Sequence, residues 1–275
     1  MAYEHIIYKN EEGIATITMN RPDRLNAYNM QMLYDLESAL AEVARDRAVR
    51  VLILTGAGGA FSSGADFRYR EVREGKVSLE EAEELRPIIE GIGRGQPINE
   101  VIRFLLGLQR LDKPTIAMVG GDAVGAGFDF ALACDMRIGC PKTRFMVGYT
   151  RIGLASDTGT TWFLPRLVGV AKALEIMYTG NFVDAEEALR LGILNRLVPQ
   201  EKLEDEVMAL ARQIVKGAPI AHRLTKLQVY KGLEMDLETA LGIAMSVVHI
   251  GLSSKDHEEG IKAFIEKRPP VFRDE

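Results

Sequence analysis

An α/β fold is predicted by three features of the 275-residue sequence. Short apolar runs ending in glycine, "RVLILTG" (50–56) and "PTIAMVGG" (114–121), read as strands buried in a covered sheet. A pair of alternating strands followed by an amphipathic helical segment begins a βα rhythm near the N terminus. After Pro199 only helical periodicity remains, so residues 1–200 are expected to form the core and residues 201–275 a helical C-terminal region.

In chain order, residues 5–9 and 14–19 alternate around an "NEEG" turn, and "NMQMLYDLESALAEVARD" has the apolar spacing of a surface helix. Residues 71–100 are charged and broken by Gly and Pro, which predicts a solvated helix with loose connections and a mobile flap, before the apolar "VIRFLLGLQRL". In "DAEEALRLGILNRLVP", Asp184 and Glu187 stand at capping-box spacing ahead of a short strand. Helices are then predicted over 201–217, 219–232, 236–252 and 256–267.

Composition narrows the function classes. With 47% hydrophobic and 27% charged residues the chain fits a globular domain with a sizeable core. A net charge of -5 gives no general basic field, so nucleic acid is not an expected partner. The opening "MAYEHIIYKNEEGIATITMN" lacks a basic n-region and an apolar h-region, and no run of about 18 apolar residues follows, so a soluble, cytoplasmic protein without membrane contact is expected. Cys134 and Cys140 read as reduced core thiols, and the four histidines show no metal-ligand spacing; no metal is expected.

Two turns look alike. "VLILTG" is followed by "FSSGAD", and "TIAMVGG" by "VGAGFD". Glycine admits torsions and close approaches that side chains block, and a helix opening at such a turn exposes unpaired N–H groups. Two such turns can aim two N–H groups at one oxygen, the arrangement that stabilises a thioester enolate or tetrahedral adduct. Nucleotide readings fall away: "GAGFDF" breaks G-x-G-x-x-G at Phe130, no P-loop occurs, and "AFSSG" misses the nucleophile elbow at Ala60.

The motifs "TITMNRPDRLNAYN", "GGAFSSGAD", "VGAGFDFALACDMRI", "RIGLASDTGTTWFLPRLVG", "AEEALRLGILNRLVP" and "EEGIKAFIEKRPPVF", in that order, resemble the crotonase (enoyl-CoA hydratase/isomerase) superfamily over nearly the whole chain. The resemblance implies a crotonase-like spiral of ββα units with a C-terminal helical trimerisation region, a trimer or dimer of trimers, acyl-CoA thioester substrates and no cofactor beyond the CoA of the substrate. By motif position the carbonyl-binding N–H groups fall on Ala65, after Gly64, and on Ala126, between Gly125 and Gly127. Asp66 belongs to the same first turn and is expected to line the substrate site.

The acids depart from those of a typical hydratase. The two positions that carry glutamates there are Asp129 and Tyr149 here, which puts simple hydration of straight-chain enoyl-CoA in question. A third acid, Asp157, occupies a position shared by branches that resemble dienoyl-CoA isomerases, ring-opened phenylacetyl-CoA epoxide isomerases and 4-chlorobenzoyl-CoA dehalogenases. Taken alone, Asp157 reads as a helix N-cap; the resemblance makes it the expected acid–base, with Asp129 and Tyr149 as further catalytic candidates. Isomerisation needs one base that returns its proton at a second carbon, and one positioned carboxylate can supply it.

The expected activity is therefore that of an acyl-CoA isomerase/hydratase acting on an unsaturated acyl group of dienoyl, cyclic or aromatic type. The alternatives are a dehalogenase or hydrolase using Asp157 as nucleophile, and a CoA-binding protein without turnover. Phe67, Tyr69, Phe128 and Trp162 are candidate walls of the acyl pocket. Arg24 and Lys267 are candidate contacts to the CoA phosphates, the latter across a subunit boundary.

Overall fold

The computed structural model describes residues 3–66 and 96–275. Strands β1 (Ile6–Glu11) and β2 (Ile14–Met19) pair antiparallel, and β2 runs parallel to β3 (Val51–Gly56). There follow β4 (Thr115–Val119), β5 (Asp122–Val124), β6 (Met136–Gly139), β7 (Arg144–Met146), β8 (Val183–Asp184) and β9 (Arg196–Leu197). They form a six-stranded sheet in the order β1-β2-β3-β4-β6-β9 and a three-stranded sheet in the order β5-β7-β8. Strands β4 to β7 alternate between the two sheets. This mixed α/β architecture is the fold class expected from the sequence.

Apolar patterning explains how the sheets are covered. Helix α1 (Met30–Arg45) starts where the Asn29 side chain accepts the Met32 N–H, and it buries Met32, Leu33, Leu36, Leu40 and Val43. Against it lies α2 (Gln96–Arg110), burying Val101, Phe104, Leu105 and Leu108. Helix α3 (Ala126–Ala133) is buried along its whole length, so its sequence carries no amphipathic stripe. Next come α4 (Thr160–Val168), α5 (Val170–Thr179) and α6 (Ala185–Arg190), the last capped by Asp184 accepting the Glu187 N–H, as the sequence spacing predicts.

The C-terminal helices are α7 (Leu203–Val215), α8 (Pro219–Gly232), α9 (Leu237–Leu252) and α10 (Lys255–Glu266). Helix α7 packs Leu203, Val207 and Ala211 on Ile14, Val51, Ile53, Ile116 and Ile138 of the large sheet. A break after residue 200 therefore does not separate packing units, because this sheet face is apolar and α7 covers it. The later helices are different. Helix α8 buries no residue fully and α9 only Val247, while Leu237 and Phe264 are 74% and 84% exposed. Polar contacts tie this region to the core: Lys226 Nζ and Tyr230 Oη donate to the Asp135 carboxylate at 3.0 and 2.9 Å.

Cys134 and Cys140 are buried and unpaired with each other, as core thiols. Among the described residues no single helix is long and apolar enough to cross a membrane. The predicted flap falls mostly on residues 71–95, outside the described residues, as do Phe67 and Tyr69.

Candidate active site

The "NRP…NA" stretch holds the first turn in place. Asn26 is fully buried; its Nδ2 donates to the carbonyls of Ala57 and Ala60, both at 2.8 Å, and its Oδ1 accepts the Arg21 N–H at 3.0 Å. Arg21 Nη1 donates to the Ala27 carbonyl and pairs with Asp66 Oδ2 at 3.2 Å, both side chains being buried. Such a pair orders the backbone on each side of it, since neither charge is stable there alone. The Asp66 carboxylate thus faces Arg21 and fixes the turn, correcting the expectation that it lines the substrate site.

Ala65 forms an isolated parallel bridge with Tyr28: the Tyr28 N–H donates to the Gly64 carbonyl at 2.8 Å and the Asp66 N–H to the Tyr28 carbonyl at 3.1 Å. The Ala65 N–H consequently points away from that bridge. Ala126 is the first residue of α3, where no carbonyl precedes its N–H in helical register. Among the described residues neither N–H has an acceptor. The two turns touch. A Cβ on Gly64 (φ +86) would lie 2.8 Å from the Val124 carbonyl oxygen and 3.4 Å from the Ala126 nitrogen, and one on Gly127 would lie 2.3 Å from the Ser62 carbonyl oxygen. Only glycine permits these approaches.

Tyr149 links the second turn to the acids. A Cβ on Gly125 would stand 4.0 Å from its hydroxyl. That hydroxyl lies 3.2 Å from Asp129 Oδ2 and 2.5 Å from Thr158 Oγ1. Thr158 Oγ1 donates to Asp129 Oδ2, and Thr160 Oγ1 to Asp129 Oδ1, each at 2.5 Å. Asp129 is fully buried, and that burial pushes its carboxyl up to about 6 despite three hydroxyl neighbours that favour the charge. Burial of Tyr149, with Asp129 adjacent, raises its phenol far above the ordinary range, so it is no base at neutral pH.

Asp157 is the exposed member of the group. Nearby protein displaces enough water to push its carboxyl up, while its own N–H and the hydroxyls of Tyr149 and Thr158 pull the other way. It is not a helix cap. Helix α4 begins at Thr160 with Gly159 (φ 129) as N-cap and no side-chain cap bond. The glycine reverses the chain so that Thr158 and Thr160 both face Asp129.

A family model described as enoyl-CoA hydratase/isomerase matches residues 9–275. The chain belongs to the enoyl-CoA hydratase/isomerase family. It is 34% identical to a crotonyl-CoA hydratase of Syntrophomonas wolfei over 273 residues, covering 99% of each chain. It is also 34% identical over 269 residues to a 1,2-epoxyphenylacetyl-CoA isomerase of Escherichia coli, covering 98% of each. The crystal structure of an enoyl-CoA hydratase from Bacillus anthracis superimposes with a TM-score of 0.88 at 30% identity, covering 99% of this chain and all of the other. The protein is an enzyme of this family.

Other expected residues of this family member fall in several places. Phe128 is fully buried against Phe145, ring centroids 4.7 Å apart, and is core rather than pocket wall because α3 has no solvent face. Trp162 is partly exposed, edge-on to Phe163 and covered by the Arg166 guanidinium 4.0 Å from its ring centroid. Arg24 is exposed near the first turn, its carbonyl accepting from Ser63 Oγ at 3.3 Å. Lys267 caps the C-terminal end of α10 in the left-handed conformation and is exposed. Thr158, Thr160 and Tyr28 belong to the site but escape a search for acids and glycines. Tyr28 is buried beside Ala65, its phenol raised first by burial and then by Asp157 and Asp129. Two threonines flanking a glycine next to an acid were the available signal.

Proposed function

We propose that this enzyme isomerises or hydrates an unsaturated acyl-CoA thioester through an enolate held by the Ala65 and Ala126 N–H groups, with Asp157 as the acid–base. The observation that carries this reading is that Asp157 alone among the three candidate groups is exposed, while Asp129 is sealed and Tyr149 is buried and holds its proton. Isomerisation is the favoured reaction. The Asp157 carboxylate takes a proton from one acyl carbon, the electron pair moves into the thioester carbonyl, and the resulting carboxylic acid returns the proton at a second carbon. Hydration additionally requires a water held by a second group.

The names of two relatives, a crotonyl-CoA hydratase and a 1,2-epoxyphenylacetyl-CoA isomerase, span these same two outcomes. Asp129, in this reading, is a positioning group. Coenzyme A arrives with the substrate and no further cofactor takes part; Arg24 and Lys267 are proposed to meet its phosphates, and Trp162 to line the acyl channel. The exposed apolar residues Leu237, Leu241, Met245, Phe264 and Ile265 are proposed to be covered by further copies of the chain in a trimer or a dimer of trimers.

A panel of straight, dienoyl, cyclic and aromatic CoA thioesters, followed by deuterium uptake from solvent and product mass, tests the reading. Uptake at acyl carbons in wild type and its loss in Asp157→Asn is the expected result. Single turnover in ¹⁸O-water decides between acid–base and nucleophilic roles: label in the Asp157 carboxylate identifies an acyl- or aryl-enzyme ester instead.

A further inference from the structure

Asp129 presents a counting problem. Its two oxygens, Thr158, Thr160 and Tyr149 make four close oxygen contacts, yet each hydroxyl has a single proton. Among the described residues the Thr160 hydroxyl has no acceptor other than Asp129 Oδ1, so its proton is committed there. The remaining contacts form a triangle of Asp129 Oδ2, Thr158 Oγ1 and Tyr149 Oη with edges of 2.5, 2.5 and 3.2 Å.

Two proton arrangements satisfy that triangle. With Asp129 ionised, Thr158 donates to Oδ2 and Tyr149 donates inward to Thr158 or Oδ2. Asp157 then receives no hydrogen bond from Tyr149. With Asp129 neutral, Oδ2–H donates to Thr158, Thr158 donates to Tyr149 Oη, and the phenol proton turns outward. In the proposed switch the outward acceptor is the Asp157 carboxyl, which adjoins Thr158 in the chain and whose charged form the Tyr149 and Thr158 hydroxyls favour.

We propose that Asp129, acting through the Thr158 hydroxyl, sets the direction of the Tyr149 O–H and thereby whether Asp157 is held as a carboxylate. This rests on the acid–base role given to Asp157 above. Asp129, Thr158 and Tyr149 are positioning residues: the pair of acids behaves as a one-proton unit, in which a neutral Asp129 favours an ionised Asp157 and an ionised Asp129 favours a protonated one. In the switch the O–H bond of one carboxyl breaks as that of the other forms, the proton being exchanged with solvent; the Thr158 and Tyr149 hydroxyls keep their own protons and only rotate about their C–O bonds.

Among the described residues the groups that face Asp129 are few. Tyr149, Asp157 and Tyr28 are its titratable neighbours. On the elements packed around α3, Arg103 of α2 pairs with Glu37 and Glu100, and Arg110 is exposed. Asp122 of β5 pairs with Arg144, Arg137 of β6 donates to the carbonyls of Ala131, Cys134 and Ile193, and Arg166 of α4 lies over Trp162. None of these cations neutralises Asp129.

The test is carried out on the full chain without substrate, so that it stands whether or not the acyl-CoA reading does. Aspartate carboxyl carbons are labelled with ¹³C and followed by NMR against pH, Asp157 and Asp129 being assigned by loss of signal in their Asn variants. Wild type is expected to show two inflections at Asp157, one sharing its midpoint with Asp129. Asp129→Asn leaves a single inflection. Thr158→Val, close in shape but without the hydroxyl, abolishes the shared inflection and moves the Asp157 midpoint up by about one unit, whereas Thr158→Ser keeps both features. A purely packing role for Thr158 predicts the reverse order, with Val tolerated and Ser impaired. A single inflection in wild type, or a shared inflection undiminished in Thr158→Val, overturns the proposal.

Discussion

Asp129 lies inside α3 under the hydroxyls of Tyr149, Thr158 and Thr160 with no exposed surface, whereas Asp157 stands in the loop before α4 and is exposed. Both carboxyls are pushed up by burial, but they differ in what meets them. Every close partner of Asp129 is a protein hydroxyl, so its proton affinity is set by the fold. Asp157 keeps an open side, so a bound molecule can reach it. In the proposed reading this contrast divides the work: Asp157 touches substrate and Asp129 determines the state in which it is found.

The contrast breaks most clearly at Asp157. Asp157→Asn keeps the shape but removes the base, and turnover of whichever thioester the panel identifies is expected to fall by about 10³-fold or more, with thermal stability little changed. If Asp129 were the acid that touches substrate, Asp157→Asn would leave most of the rate. The next largest effect is expected from Ala126→Pro, which deletes the proposed oxyanion donor at a helix position where proline is tolerated. A loss of about 10² to 10³ in kcat is expected, measured beside the melting temperature to separate catalysis from folding.

Asp129 is read through stability. The folded chain holds its proton up to about pH 6, while an unfolded aspartate releases it near 3.8. The stability associated with the neutral buried acid is therefore complete below about pH 4 and is lost as pH rises through about 6. Relative to Asp129→Asn, wild type should lose about 3 kcal/mol between about pH 4 and pH 7, measured by urea unfolding across that range; equal pH dependence in the two proteins would place Asp129 in a wetter environment than the structure has. A smaller effect is expected at Gly127→Ala, where the new Cβ meets the Ser62 carbonyl and forces the turns apart. About 1 to 3 kcal/mol of stability should be lost, together with activity, because the two donors diverge.

Much of this arrangement was legible in the residues. The two glycine turns announce their close approach, and the expected C-terminal helices match the observed ones to within two residues at every end because their periodicity is strong. Taken alone, Asp157 has the position of a cap, since Asp before a helix usually is one; the extra reversal at Gly159 moves the helix start beyond its reach. An aromatic beside a reactive turn, such as Phe128, gives no sign in sequence of which way it faces, and the full burial of α3 places it in the core. Asp66 is similar: its partner Arg21 lies 45 positions away in sequence, a distance over which pattern is silent. The hydroxyl cluster on Asp129 joins residues of three separate segments and emerges only in the fold.

The central claim is that one thioester oxygen meets both main-chain donors with Asp157 beside the neighbouring carbons. A crystal structure with butyryl-CoA, which lacks the double bond needed for turnover, measures this directly. The account predicts the thioester oxygen at about 3 Å from the nitrogens of both Ala65 and Ala126, and the Asp157 carboxylate facing the acyl carbons. An oxygen bound elsewhere, or Asp157 turned to bulk water with the acyl chain in place, would contradict it.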